Sequence, residues 1–243
     1  MNLLIERFLS FFPIIRCPIC GGVKNNGFLC ELCAEKIESL YVQKGYCIRC
    51  GEPLTSEKLT WCGECLTNKR PWDYFSFYGY YRDILRQIIT EFKYRGDFAC
   101  LGILQGLLCK AYLKADSDFD PDIIIPVPIH KNRLKLRGFN QSLEISRKLS
   151  RLIGVPIERN ILVRTKDTVS QVGLKKSERE KNVKNVFCVI GDIKGINIVL
   201  VDDVYTSGAT ASECSKVLKA AGAGMVGVLV VARTKSGDVE YNS

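Results

Sequence analysis

The sequence predicts an α/β fold, a mostly parallel sheet with helices on both faces, preceded by a small metal-binding module. Three observations predict it. From residue 119 onward, short runs of branched apolar residues alternate with stretches of helical period. Before residue 66, eight cysteines fall into four Cys-x-x-Cys pairs. One apolar run, Ile198-Val199-Leu200-Val201, passes directly into two acids and a hydroxyl-rich turn.

In chain order, residues 1–16 read as a short amino-terminal helix, because Glu6, Arg7 and Pro13 interrupt the order of a secretory signal. Residues 17–70 form the cysteine module, and 71–243 the α/β domain. Tyr74–Tyr81 is an aromatic strand suited to a buried sheet edge. Ile84, Leu85, Ile88, Ile89 and Phe92 recur at the spacing of one helix face, which Gly96 ends. A helix over about Phe98–Leu113 comes next. Asp122–Val127 is a buried strand, Gly138–Ile153 a helix, and Asn160–Arg164 and Val186–Ile190 short strands flanking a long charged loop. Ile196–Val201 is a strand, Thr210–Ala221 a helix ended by Gly222, and Met225–Ala232 the last strand. Strands alternating with helices imply right-handed crossovers and a parallel sheet covered on both faces. Ligands of such sheets sit beyond the carboxyl ends of the strands.

Composition narrows the class. With 243 residues, 47% apolar and 25% charged, the chain is neither disordered nor a membrane span. Its twelve cysteines, in a chain this long without an export signal, suit a reducing cytoplasm rather than a disulfide scaffold. Cys100, Cys109, Cys188 and Cys214 stand singly in apolar segments, as small core residues do. The net charge of +9 is local: Lys131–Lys184 holds 15 Lys/Arg and 5 Asp/Glu. A surplus so confined points to an anionic partner.

In the paired cysteines, Cys17 and Cys20 precede Cys30 and Cys33, and Cys47 and Cys50 precede Cys62 and Cys65. Two such turns bring four thiolates into the tetrahedron zinc prefers, which predicts two structural zinc ions. Pairing within each set suits hairpins, while pairing between the sets is left open by the spacing. Four redox dithiols in so short a module would be unusual.

The segment Asp202-Asp203-Val204-Tyr205-Thr206-Ser207-Gly208-Ala209-Thr210 is suited to hold a sugar near a phosphate. Paired carboxylates accept hydrogen bonds from a ribose diol. Thr206, Ser207 and Thr210 offer hydroxyls, Gly208 lets the backbone curl toward an anion, and the following helix start favours phosphate. These residues resemble the phosphoribosyl-diphosphate (PRPP) signature of type I phosphoribosyltransferases.

The resemblance extends upstream to Pro126-Val127-Pro128-Ile129-His130, to Arg137-Gly138-Phe139-Asn140-Gln141, and to Arg164, Gln171, Leu174, Arg179, Asn182 and Phe187. With Lys93-Tyr94-Arg95-Gly96-Asp97 and the cysteine pairs, the whole is similar to the competence protein F (ComF) family, a type I phosphoribosyltransferase-like domain behind a double zinc ribbon. The resemblance implies PRPP binding with Mg²⁺ through Val127, Pro128, Ile129, His130, Lys131, Asp202, Asp203, Tyr205, Thr206, Ser207, Gly208, Ala209 and Thr210. It implies Asp202, Asp203 and Arg179 as catalytic residues, with Lys166, Lys175, Lys176, Arg179 and Lys181 in a lid over the leaving pyrophosphate. It also implies a cytoplasmic protein of natural transformation, at the inner face of the membrane without an integral segment. Its implied partners are single-stranded DNA and the competence helicase machinery, with a homo-oligomer among the assemblies expected. A non-catalytic DNA-binding protein that uses the loop as a sensor is the second expectation. Residue 2 is Asn2, so no amino-terminal cysteine for glutamine hydrolysis is expected.

Overall fold

The computed structural model describes residues 16–23, 29–114, 119–168 and 176–237. The expected amino-terminal helix (apart from Arg16), the lid residue Lys175, and Gln171 and Leu174 of the family resemblance lie outside these residues. Two short helices, α1 (Glu31–Glu38) and α2 (Gly63–Thr67), belong to the cysteine module. Strand β1 (Tyr74–Tyr80) is followed by α3 (Asp83–Thr90), a π-helical turn (Glu91–Arg95) and α4 (Ala99–Leu113). Then come β2 (Ile123–Pro126), α5 (Lys131–Arg137), α6 (Gln141–Ile153) and β3 (Leu162–Arg164). The chain continues through α7 (Lys176–Val183), β4 (Phe187–Val189), β5 (Ile198–Tyr205), α8 (Ala209–Ala220) and β6 (Val226–Arg233).

The main sheet has the order β1-β6-β5-β2, with every neighbouring pair parallel. Strands buried on both faces read as continuous apolar runs, and all eight positions of β6 are buried. One face packs on α3, α4 and α6 through Ile88, Leu104, Leu108, Ile145 and Leu149 against Ile124, Val199, Val201 and Leu229. The other face carries α8, the antiparallel pair β3-β4 and, over β1 and β6, the second cysteine group. There Cys47, Cys50, Cys65 and Trp72 join Phe75, Phe77 and Val230 in one core, so a metal-binding module occupies the place of a covering helix. Ile37 and Leu40, from the first half of the module, pack with Tyr78 on the opposite face. The two halves thus straddle the β1 edge.

That edge is closed by backbone, which removes a free ladder of donors and acceptors. Tyr41 bridges Gly79 antiparallel, and the Val42 amide donates to the Tyr78 carbonyl at 3.0 Å. Lys114 fastens the crossing: its Nζ donates to the carbonyls of Val42 and Phe77 and lies 4.6 Å from the Tyr46 ring centre. No helix among the described residues is long and apolar enough to cross a membrane.

The structure departs from the expected elements in three places. The helix expected over Gly138–Ile153 is α6, which starts after Asn140, whose side chain accepts from the Ser142 and Leu143 amides, and a further helix that the sequence does not announce, α5, precedes it and ends at Gly138. Helix α5 buries no residue, which is why apolar period does not reveal it. Part of the expected loop between the short strands is helix α7, equally polar in sequence. Finally, β5 runs four residues past Val201, to Tyr205, because its pairing with β6 continues there.

Gly79 tests the edge closure. A Cβ there would lie 2.4 Å from the Leu40 carbonyl oxygen, a backbone atom fixed by the crossing strand. Gly79→Ala is expected to cost about 1–3 kcal/mol, the usual range for overpacking, measured by urea unfolding. An unchanged midpoint would show that the crossing is not rigid.

Candidate sugar-phosphate site and metal centres

Strand β2 stops at Pro126, opposite Val201, whereas β5 continues along β6. Beyond that point β5 has lost its neighbour on one side, and the notch so formed holds Asp202 and Asp203. Strand alternation slips there: Val201 and Val204 both pack on the α3–α4–α6 core, while Tyr205 turns to the other.

Both carboxylates are held by specific donors. Asp202 Oδ1 accepts from Ser142 Oγ and from the Asp203 amide, each at 2.9 Å. Asp203 Oδ1 accepts from the Val204 amide at 2.8 Å, and Oδ2 from Lys93 Nζ at 2.8 Å. Ser142 is in place because Asn140 caps α6 and also donates to the Val127 carbonyl at 3.1 Å, tying the β2 loop to the helix. Burial, and then the Asp203 charge, push the Asp202 carboxyl up to about 7. Burial opposes the Lys93 ammonium, but Asp203 beside it more than offsets this, and its pKa is raised. Sequence reasoning does not identify Ser142 and Lys93 as partners of the acids. A serine two residues after a capping asparagine is the available signal for the first, and no local pattern marks the second.

After β5 the chain turns through Thr206 and Ser207 to Gly208, which caps α8 with φ 80. That left-handed conformation favours glycine, and a Cβ would fall 2.2 Å from the Tyr205 hydroxyl oxygen. The Tyr205 ring is gripped edge-on by Phe75 (4.9 Å) and Trp72 (6.0 Å) and lies 5.8 Å from the Arg233 guanidinium. Ser207 Oγ accepts from the Ala209 amide at 3.4 Å.

The acids and the loop share a cleft of about 970 Å³ with Val127, Pro128, Ile129, Arg133, Arg137, Arg164 and Arg179. Thr206, Gly208, Ala209 and Thr210 line it as well. Among the described residues, Asp202 and Asp203 are the acids in its wall. Arg179, from α7, is buried with its Nε unpaired among the described residues, and burial lowers its pKa. Burial likewise lowers Arg164 and Arg137, the latter partly restored by Asp203. His130 and Lys131 do not line this cleft. His130 Nδ1 instead accepts from the Asn132 amide at the start of α5, and Asp167 Oδ2 lies 3.2 Å away. Ser207 and Lys181 face a second cavity of about 500 Å³ behind the loop, with Arg70, Lys184, Ser212 and Lys216.

The cysteine groups assort within each set. The sulfurs of Cys17, Cys20, Cys30 and Cys33 all lie within 4.8 Å of one another, as do those of Cys47, Cys50, Cys62 and Cys65. The two halves repeat one design. The Cys17 and Cys47 amides donate to the carbonyls of Gly22 and Glu52, each at 2.8 Å, and Cys30 and Cys62 stand at the N-caps of α1 and α2. These groups fit zinc, and four thiolates leave no position for water or substrate, so both centres are structural. The second also reaches the loop. Arg70 Nε donates to Cys65 Sγ at 3.4 Å and its guanidinium lies over Trp72, while Arg233 Nε donates to the Cys50 carbonyl at 3.0 Å.

The chain is therefore expected to carry two zinc ions. Cys17→Ser should remove one and leave the loop intact; Cys65→Ser should remove the other and expose Tyr205 and Trp72, seen as a change in aromatic fluorescence. Loss of zinc without that change would separate the second centre from the loop. A further expectation concerns Asp202. An acid whose folded pKa is raised is penalised when ionised, so the cost is absent below about pH 4, grows toward pH 7 and is full above it. Asp202→Asn removes that cost, and its melting temperature should exceed wild type at about pH 8 but converge with it as the pH falls toward about 4. A difference independent of pH would contradict the assignment.

A family model of the double zinc ribbon domain matches residues 9–66. The chain is 35% identical over 234 residues to competence protein F of Haemophilus influenzae, covering 93% of this chain and 99% of that protein. It is 32% identical to the DNA utilization protein YhgH of Escherichia coli K12, over 85% of this chain and 90% of that one. Similarity to competence protein ComFC of Bacillus subtilis is 30%, over 54% and 51% of the two chains. Among solved structures, the allosteric regulatory enzyme of purine biosynthesis matches with a TM-score of 0.37 and 20% identity, over 54% of this chain and 26% of that one. Adenine phosphoribosyltransferase from Leishmania tarentolae matches with a TM-score of 0.33 and 20% identity, over 57% and 58%. Identity of the level shared with competence protein F, along nearly the whole length of both chains, makes this protein a member of the competence protein F family.

Proposed function

We propose that this protein binds PRPP or a related phosphoribosyl ligand in the cleft and serves DNA uptake as a ComF-type protein. One observation carries the reading: an acid pair in a sheet notch stands two residues before a hydroxyl-rich turn that caps a helix, all in one cationic cleft. Asp202 and Asp203 would accept the ribose hydroxyls. The amides and hydroxyls from Thr206 to Thr210 would hold the 5-phosphate at the α8 start. Val127, Pro128 and Ile129 would follow the pyrophosphate, with Arg133, Arg164 and Arg179 close by. Mg²⁺, when bound, would neutralise the pyrophosphate oxygens. A nitrogen nucleophile would then form a bond to the anomeric carbon as the carbon–oxygen bond to pyrophosphate breaks and the electron pair leaves with it. The residues themselves would contribute position and charge complementarity.

The names of the relatives, competence protein F and DNA utilization protein, support a role in handling incoming DNA. Thiolate-bound zinc suits the reducing cytoplasm, and the inner face of the membrane is where such handling would take place. A second reading, a non-catalytic single-stranded DNA-binding protein with the loop as sensor, is favoured by Tyr94, 60% exposed beside the cleft under Arg137. An exposed ring with a cation over it suits base stacking.

Calorimetry with PRPP and Mg²⁺ tests the first reading. Asp203→Asn keeps shape but removes charge, and should weaken binding by about 1.5–3 kcal/mol, the range for hydrogen bonds to charged groups. Equal affinity in variant and wild type would reduce the segment to a turn. Binding without pyrophosphate release to any acceptor would favour the sensor.

A further inference from the structure

The segment Lys93-Tyr94-Arg95-Gly96-Asp97 has little part in the function proposed above, yet its backbone is unusual. Helix α3 does not end at Thr90. The next five residues wind as a π-helical turn, closed by Gly96 at φ 65. A π turn inserts an extra residue and rotates the chain beyond it, and such turns recur at functional sites. Up to that point the inner face belongs to the core: Leu85, Ile88, Ile89 and Phe92 are fully buried. The widened turn then sends Lys93 over the carboxyl end of β5, where its Nζ meets Asp203 Oδ2 at 2.8 Å, from 110 residues away in the chain.

Stability gives little reason for this contact. A partly buried ion pair loses hydration that its attraction barely restores, and apolar replacements are often neutral or better. Two adjacent carboxylates in a sheet notch do need a positive charge, however, if both are to accept hydrogen bonds from a sugar. Lys93 supplies it from within the chain. Its ammonium has three donors, Asp203 takes one of them, and it lines the cleft.

We propose that Lys93 is the resident cation of the sugar site: its ammonium holds the Asp203 carboxylate aimed, and thereby lets the acid pair take the vicinal diol of a ribose 5-phosphate with no divalent ion at the carboxylates. The proposal rests on the phosphoribosyl reading of the cleft. Lys93 is a positioning residue, acting on the sugar through Asp203. The ligand class it selects is a ribose phosphate with both hydroxyls free. A 2-deoxyribose phosphate has one hydroxyl fewer to donate and gains less from the aligned pair.

The test is calorimetry on the zinc-loaded full chain in resin-stripped buffer, with ribose 5-phosphate and 2-deoxyribose 5-phosphate, each with and without Mg²⁺. Wild type should bind ribose 5-phosphate equally well in both buffers and prefer it to the deoxy sugar. Lys93→Met should weaken ribose 5-phosphate by at least about tenfold, the effect of losing a charge-assisted contact, and reduce the preference over the deoxy sugar. Lys93→Arg should restore most of both, and neither variant should change zinc content. Lys93→Met binding as tightly as wild type, or a wild type that needs Mg²⁺, would overturn the proposal. Binding that Asp203→Asn weakens and Lys93→Met does not would remove Lys93 alone. A wild type that binds neither sugar phosphate would remove the phosphoribosyl reading and this proposal together.

Discussion

Tyr205 has its ring between Trp72, Phe75 and Arg233, and its hydroxyl ends directly beneath Gly208. The hydroxyl is buried without a hydrogen-bond partner among the described residues, so the fit is steric: the ring sets the height at which the loop can pass. Gly208 is the residue that can pass there, having no Cβ and tolerating the left-handed backbone that opens α8. Because the loop and the acid pair are two ends of one strand-turn-helix unit, the seat of this one ring also sets the distance from Asp203 to the α8 amides.

The seat is built by the second cysteine centre. Cys47, Cys50 and Cys65 form one core with Phe75, Phe77 and Tyr205, and Arg70 and Arg233 each donate a hydrogen bond to that centre while their guanidiniums lie over Trp72 and Tyr205. On this face of the sheet, α8 covers one part and the metal module another. A zinc-held knuckle draws its geometry from bonds to the metal, so its fold is fixed when the ion binds. This gives the module a reason to be fused to the domain: the first half closes the β1 edge together with the crossing at Tyr41, and the second props the loop.

Features that lie consecutively in the chain are the ones legible in the sequence. Asp202 through Thr210 bring their acids, hydroxyls and glycine in one run, and the Cys-x-x-Cys pairs carry their geometry in their spacing. Strands β2, β5 and β6 are legible because burial on both faces leaves continuous apolar runs. Helices α5 and α7 escape for the converse reason, having almost no apolar face to give a period. Ser142 and Lys93 reach the acids from 60 and 110 residues away, and no local rule joins them. The family resemblance implies a ligand contact for the lone His130. Its ring instead caps α5 and faces Asp167, a use that depends on a helix the sequence does not reveal.

The central claim is that one loop, set by Tyr205, holds a phosphate while the neighbouring acids hold a sugar. A crystal structure with PRPP and Mg²⁺ measures this directly. The ribose hydroxyls are predicted within hydrogen-bond distance of Asp202 and Asp203, and the 5-phosphate on the amides from Thr206 to Thr210, with Tyr205 unmoved. A phosphate seated behind the loop among Arg70, Lys181 and Lys216, with the acids empty of sugar, would contradict it.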